Sequence, residues 1–144
     1  WRGPGSGGVV VGAGRARVGD EWGGGHGDVA DIAGAALPAA HFGVWHEREV
    51  FHCRIDDVAG RRYVAQAAGS VQVGGHAIIA TFAADGPERC SSLPVRRYDA
   101  DALAAEFQPA FARVAAAREE HVTPAGSTQQ FTYVAWRRTE YQSP

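Results

Sequence analysis

Two periodicities alternate along most of this chain. Phe42-Gly43-Val44-Trp45 is a short aromatic and β-branched run of the kind that forms a buried strand. Helical spacing follows, with Tyr63, Val64, Ala67, Ala68 and Val71 falling on one face of a helix expected over 57–71. Asp57 is placed to accept the orphan N–H groups of its first turn. Gly60 and Gly69 weaken that helix, each by roughly 1 kcal/mol relative to Ala. Gly74-Gly75 is expected to close it, since a left-handed cap costs glycine little. The run His76-Ala77-Ile78-Ile79-Ala80-Thr81-Phe82 is apolar on both faces, as a central parallel strand requires. Strand, helix and strand at this spacing predict a βαβ unit.

Beyond it, Asp99 and Asp101 mark the first turn of a second helix over 99–107, with Leu103 and Phe107 on its buried side and Pro109 to stop it. Residues 112–122 and 129–138 read as strands joined by Thr123-Pro124-Ala125-Gly126-Ser127. In the second strand Phe131, Tyr133 and Ala135 alternate with Thr132, Val134 and Trp136. The expected class is α/β: a partial Rossmann-like fold, parallel strands with crossover helices closed by a C-terminal antiparallel hairpin.

Composition changes this picture at one end. Residues 1–27 hold eleven of the nineteen glycines. Such a stretch loses much backbone entropy on folding and has few side chains to bury in return. Only Val9-Val10-Val11 reads as a strand there. The expected division is therefore a glycine-rich, poorly ordered segment at 1–27 and a partial domain at 28–144. The chain has no Met and no Lys, all fourteen basic residues being Arg, which fits a fragment or a processed chain of GC-rich coding.

Charge and hydropathy narrow the function classes. A net charge of −2 provides no basic surface for a nucleic-acid backbone. The longest apolar stretch, 76–84, is far short of the ~20 residues that span a bilayer. No secretory signal is visible, so a cytoplasmic location is expected, without nucleic-acid or membrane partners. The two cysteines, Cys53 and Cys90, make neither a disulfide framework nor a zinc motif, and no histidine pair has a ligand spacing, so no metal is expected and both thiols read as free.

The order strand–helix–strand–helix–hairpin is how class I S-adenosylmethionine-dependent methyltransferases finish their sheet, and the residues match as well. Phe42-Gly43-Val44-Trp45-His46-Glu47-Arg48-Glu49-Val50-Phe51-His52 resembles the segment FDxWHDRxxFHF of one bacterial branch of that family. Arg62-Tyr63-Val64, Gly74-Gly75-His76 and Ile79-Ala80-Thr81-Phe82 are similar to its next helix and strand. Asp85-Gly86-Pro87-Glu88-Arg89-Cys90-Ser91, Leu93-Pro94-Val95 and Arg97-Tyr98-Asp99 resemble the loop that follows. Glu119-Glu120-His121, Thr123-Pro124 and Gln129-Gln130-Phe131 resemble its closing hairpin. The resemblance covers residues 28–138. Glu47 and Gly43 stand where the branch has Asp, and Val73 where it has Pro.

The resemblance implies methyl transfer from S-adenosylmethionine to a small-molecule acceptor. It also implies a glycine turn after the first strand, for which Gly12 and Gly14 are the candidates, and an acid on the adenine. Asp28 and Val29 match that position at the end of the family's third strand. The interval from Gly14 to Asp28 is too short for a helix, second strand, second helix and third strand. Weak or absent cofactor binding is therefore expected, and a truncated, non-catalytic remnant that self-associates through an exposed sheet edge is the alternative. Ligands of open α/β sheets lie beyond the carboxyl ends of the parallel strands. That rule selects Trp45 beside the cofactor and His46 or His121 as a base. It selects Glu47, Arg48, Thr81, Phe82, Glu88 and Arg89 as substrate contacts. Against this stands a plainer reading in which Glu47 pairs with Arg48, Glu88 pairs with Arg89, and the histidines are structural.

Overall fold

The computed structural model describes residues 8–11, 26–29 and 36–141, with side chains from 36 onward. Strand β3 (Phe42–Arg48) leads through a single 3₁₀ turn (Phe51–Cys53) into helix α1 (Asp57–Ser70), which returns the chain to strand β4 (Val71–Phe82), parallel to β3. The short hairpin β5 (Arg89–Cys90) and β6 (Leu93–Pro94) interrupts the path to helix α2 (Ala100–Glu106). Strands β7 (Phe111–Val122) and β8 (Thr128–Arg138) then close the sheet in the order β3-β4-β8-β7. Because β8 is antiparallel to both β4 and β7, β7 runs in the same direction as β3 and β4.

The expected elements are all present, with two local corrections. Asp56, not Asp57, caps α1, its carboxylate accepting from the Val58 N–H at 2.8 Å, while Asp57 pairs with Arg96 at 2.7 Å. Gly74-Gly75 does not end the helix. Helix passes into strand at Val71, whose backbone is already extended, and both glycines lie inside β4. They serve a bulge: Phe42 pairs with Val71 but Val44 with His76, so four residues of β4 face one of β3. Gly74 takes φ +82°, and a Cβ on Gly75 would lie 2.8 Å from Val71 Cγ1 and 2.9 Å from the Gly43 carbonyl oxygen.

One face of the sheet carries the core. Trp45, Ala77, Ile79, Val134 and Trp136 project from β3, β4 and β8 onto Tyr63 and Ala67 of α1 and Leu103, Ala104 and Phe107 at α2. Arg138 fastens the far end: its Nε donates to the last-turn carbonyl of Ala68 at 2.8 Å and its Nη1 to Tyr141 O at 2.9 Å. Beyond the buried Phe111, edge strand β7 is largely exposed along both faces and carries Arg113, Arg118, Glu119 and Glu120, charges that discourage pairing with another chain.

At the other end, β1 (Gly8–Val11) and β2 (His26–Val29) form a separate parallel pair, with β1 alongside β3. The strand expected at Val9-Val10-Val11 is therefore present, and β2 runs across the boundary expected at 27/28. The expectation of poor order in the rest of 1–27 lies outside the described residues. The Rossmann-like strand order is 3-2-1-4-5. A third strand would lie one position further out, but the strand carrying Asp28 pairs directly with β1, Asp28 opposite Val10 and Val29 opposite Val11. The 14 residues between β1 and β2 satisfy the dozen or so that a parallel crossover needs. The space is thus too short for the elements up to a third strand, as the sequence indicated, yet sufficient for a second. No helix among the described residues is long and apolar enough to cross a membrane.

Candidate functional site

The pleat decides which residues of β3 can meet a ligand. Trp45 and Glu47 point to the core face; His46 and Arg48 point to the opposite one. Trp45 was expected beside the cofactor, but it is buried against α1, with its Nε1 donating to Tyr63 Oη at 2.9 Å and its ring edge-on to Tyr63. Tyr63 in turn donates to the Glu47 carboxylate. Glu47 is neither paired with Arg48 nor turned to the sheet edge. Its Oε2 accepts from the Val50 N–H at 2.9 Å and its Oε1 from the Phe51 N–H at 3.0 Å, closing the turn after β3. Burial raises its pKa to about 7, against the opposing pull of those hydrogen bonds. Thr81 and Phe82 are also interior: Thr81 Oγ1 donates to the Phe82 carbonyl at 3.1 Å, and the Phe82 ring packs on His52 and Phe131. These three substrate-contact expectations and that for Trp45 therefore fail. Alternation along β3 and β4 turns Trp45, Glu47 and Thr81 to the core face, whereas Phe82, on the opposite face, is covered by His52 and Phe131.

The opposite face is built differently. Cross-strand pairs share a face, so His46, Ile78, Ala135 and Ala115 form one row. Arg48, Ala80, Tyr133 and Ala117 form the next; Phe82, Phe131 and Glu119 form the last before the loops. Among the described residues no helix covers this face. His46 is exposed, and desolvation holds its imidazole below the ordinary value, so the ring is neutral at pH 7. The Arg48 guanidinium lies over the Phe131 ring at 4.1 Å. Its Nη2 reaches Glu119 Oε1 only at 3.9 Å, and its buried Nε has no hydrogen-bond partner among the described residues. Tyr133 donates to Glu119, and His121 meets the Phe131 ring edge-on with centroids 6.3 Å apart. Thus Arg48 and His121, distant in sequence, converge on Phe131 with Glu119 and Tyr133. The last two were missed, although the period of two along 115–121 places Glu119 and His121 on one face.

Glu88 and Arg89 do not pair with each other. Glu88 reaches Arg97 at 3.7 Å, and Arg89 donates to the Ser92 carbonyl at 3.0 Å, both on the surface of the β5–β6 loop. A second grouping was invisible in the sequence: ligating atoms of His52, Cys53 and Cys90 lie within 4.8 Å of one another. The sequence spacing that argued against a metal says nothing of this, since Cys90 arrives from the loop beyond β4.

Of the positions expected at the cofactor, Gly12 and Gly14 lie outside the described residues, and Asp28 and Val29 are placed by backbone alone. The placement fits. Val11 ends β1 immediately before Gly12, and the same strand ends bring Asp28 and Val29 beside it.

The sequence matches no protein-family model and no curated protein. Solved structures do match. A SAM-dependent methyltransferase from Methanosarcina mazei superposes at a TM-score of 0.66 with 8% identity, over 81% of this chain and 68% of that one. The fold is that of the class I S-adenosylmethionine-dependent methyltransferases. The Burkholderia thailandensis 1,6-didemethyltoxoflavin-N1-methyltransferase, with bound 1,6-didemethyltoxoflavin and S-adenosylhomocysteine, gives 0.66 at 20% identity, over 83% of this chain and 54% of that one. The N-methyltransferase NodS of Bradyrhizobium japonicum, with S-adenosylhomocysteine, gives 0.60 at 14%, over 83% and 57%. This chain thus spans 54% to 68% of the length of these methyltransferases.

Proposed function

We propose that this fold serves S-adenosylmethionine-dependent methyl transfer to a small-molecule acceptor that carries a carboxylate or similar anion. The observation that supports the reading is Arg48, a half-buried guanidinium at the carboxyl edge of the parallel strands with donors to spare. Two parallel N–H donors match a carboxylate in geometry as well as charge. His46, neutral and exposed two residues upstream on the same face, is positioned to take the proton that an acceptor's heteroatom sheds. His121 is the second candidate base, on the far side of Phe131. Asp28, on the strand beside β1, takes the place of the acid that holds the ribose hydroxyls rather than the adenine, with Val29 at the strand end and Gly12 and Gly14 as the turn. Bound cofactor would supply the electrophilic methyl group on its sulfonium sulfur. The residues named here align the acceptor, and alignment is the larger part of what a direct displacement needs. Glu47 is assigned to the scaffold of the turn, not to the acceptor, and Thr81 and Phe82 shape the edge from within.

The experiment is transfer of label from S-adenosyl-[methyl-³H]methionine to a panel of hydroxybenzoates and amino acids, with wild type and Arg48→Ala compared. Transfer is expected, and the variant is expected to raise KM roughly 10- to 100-fold, the equivalent of one charge-assisted pair at ~1.5–3 kcal/mol. Label reaching no acceptor would remove the reading. That no helix among the described residues covers the second face favours the alternative, a chain that keeps the fold without the reaction and self-associates through that face. Multi-angle scattering would then return an oligomer together with the inactive chain.

A further inference from the structure

We propose that Cys53 and Cys90 form an intramolecular disulfide on oxidation, pinning the loop after β4 to the turn after β3. The two sulfurs lie within 4.8 Å of each other and of a ring nitrogen of His52. Neither thiol is fully buried, so an oxidant in solution reaches both. Their backbones are already tied: Arg96 N donates to His52 O at 2.8 Å, and Val95 N to Glu88 O at 3.2 Å holds the hairpin that carries Cys90. That hairpin turns at Ser91 and Ser92, with φ 50° and 67°, which fixes the direction in which Cys90 leaves β5. Rotation about the two Cα–Cβ bonds is what must bring the sulfurs to the ~2.05 Å of a disulfide.

The competing use of this cluster is a metal, and His52 argues against it. A neutral imidazole has one lone pair, and that of His52 is engaged: Nδ1 accepts from the Phe82 N–H at 3.0 Å. A metal-bound histidine donates from its second nitrogen to an acceptor, the reverse of this arrangement. Without His52 only two thiols remain, fewer than the three protein ligands of a zinc site.

The chemistry needs a two-electron oxidant, for which hydrogen peroxide serves. One thiolate attacks a peroxide oxygen, breaking the O–O bond and leaving a sulfenic acid and hydroxide. The second thiolate attacks the sulfenic sulfur, forms the S–S bond and expels hydroxide; the two hydroxides take up the two thiol protons as water. Burial, joined by the neighbouring Cys90, Glu47 and Glu49 and opposed by Arg54, raises the Cys53 pKa to about 11. Burial and Glu49 raise that of Cys90 as well. The thiolate is therefore scarce at neutral pH, and disulfide formation accelerates as pH rises. The product restrains the loop that carries Glu88 and Arg89 against the turn closed by Glu47. This inference rests on the thiols alone and stands whether or not the chain transfers methyl groups.

The test uses the whole reduced chain with a chelator present, exposed to hydrogen peroxide, and reads intact mass and maleimide-reactive thiols. A monomer lighter by about 2 Da, with both thiols lost together, is expected. A peptide joining Cys53 to Cys90, full reversal by dithiothreitol and a raised thermal midpoint of the oxidised form are expected with it. Cys53→Ser and Cys90→Ser should each abolish the mass loss. Disulfide-linked dimers, or oxygen adducts on both sulfurs without a crosslink, would overturn the proposal. So would protection of both thiols by stoichiometric zinc in the absence of chelator, which would assign a metal centre instead.

Discussion

Phe107→Ala is expected to destabilise the chain by roughly 3–5 kcal/mol, the range for truncating a fully buried aromatic side chain. The residue is fully buried where α2 ends, and its ring meets four others: Trp136 at 4.5 Å, Phe51 at 5.1 Å, Phe111 at 5.9 Å and Tyr63 at 6.3 Å. These come from β8, the turn after β3, β7 and α1, so the cavity opens where the sheet, both helices and the site-closing turn meet. Native domains hold only about 5–15 kcal/mol in total, so the loss approaches complete unfolding. Phe107→Leu keeps most of the volume and should cost less than ~1.5 kcal/mol. Urea unfolding monitored by tryptophan fluorescence separates the two variants; equal midpoints would show that this ring cluster is not the core.

Stability should be nearly independent of pH between about 4.5 and 6.5, because two buried groups of opposite kind offset one another. Glu47 rises from 4.5 to about 7 on folding. A carboxyl whose folded pKa is raised binds more protons folded than unfolded, so its contribution is full below 4.5 and is lost as pH climbs through 7. His52, neutral and fully buried, falls from 6.5 to about 4 through desolvation. The unfolded state then binds more protons, so its contribution is present above 6.5 and is lost as pH falls through 4. Each amounts to roughly 3 kcal/mol over its window, with slopes of about 1.4 kcal/mol per pH unit and opposite sign. Asp57 and Asp85 are lowered by their arginine partners and titrate below this range, while His46, lowered by desolvation, adds a rise towards pH 6.5 of the same sign as that of His52. Glu47→Gln should therefore expose the His52 slope, with stability rising from pH 4 to 6.5. His52→Gln, whose amide oxygen can still accept the Phe82 N–H, should expose the falling slope of Glu47. Identical flat profiles in both variants, measured by urea titration at each pH, would mean that neither group titrates as its burial requires.

How much was legible divides by the range of the information. The βαβ unit, α2 and the closing hairpin were readable because each is written as a period of 3.6 or 2 over consecutive residues. The cap on α1 was missed by one position because Asp56 and Asp57 are chemically equivalent in sequence, and only the backbone decides which is extended. Gly74-Gly75 looked like a helix stop; a bulge needs the same residue for a different reason, the approach of the Gly43 carbonyl from the neighbouring strand. At the candidate site, Arg48 was visible as a residue at a strand end. Trp45 and Glu47 were misassigned because alternation along β3 had not been anchored to one face. Glu119 and Tyr133, and the meeting of Cys53 with Cys90, depend on cross-strand register and loop path, which no local pattern carries. The position of Asp28 beside β1 likewise follows only from pairing.

Under the proposed function this fold, with Asp28 on the strand beside β1, holds the adenosyl cofactor. Calorimetric titration of the whole chain with S-adenosylhomocysteine tests it most directly, with Asp28→Ala as the paired variant. Saturable one-to-one binding with a Kd of about 100 μM is expected, equivalent to some −5.5 kcal/mol, and at least a tenfold loss in the variant. Absence of saturable heat up to millimolar ligand, or binding that ignores the Asp28 substitution, would contradict it.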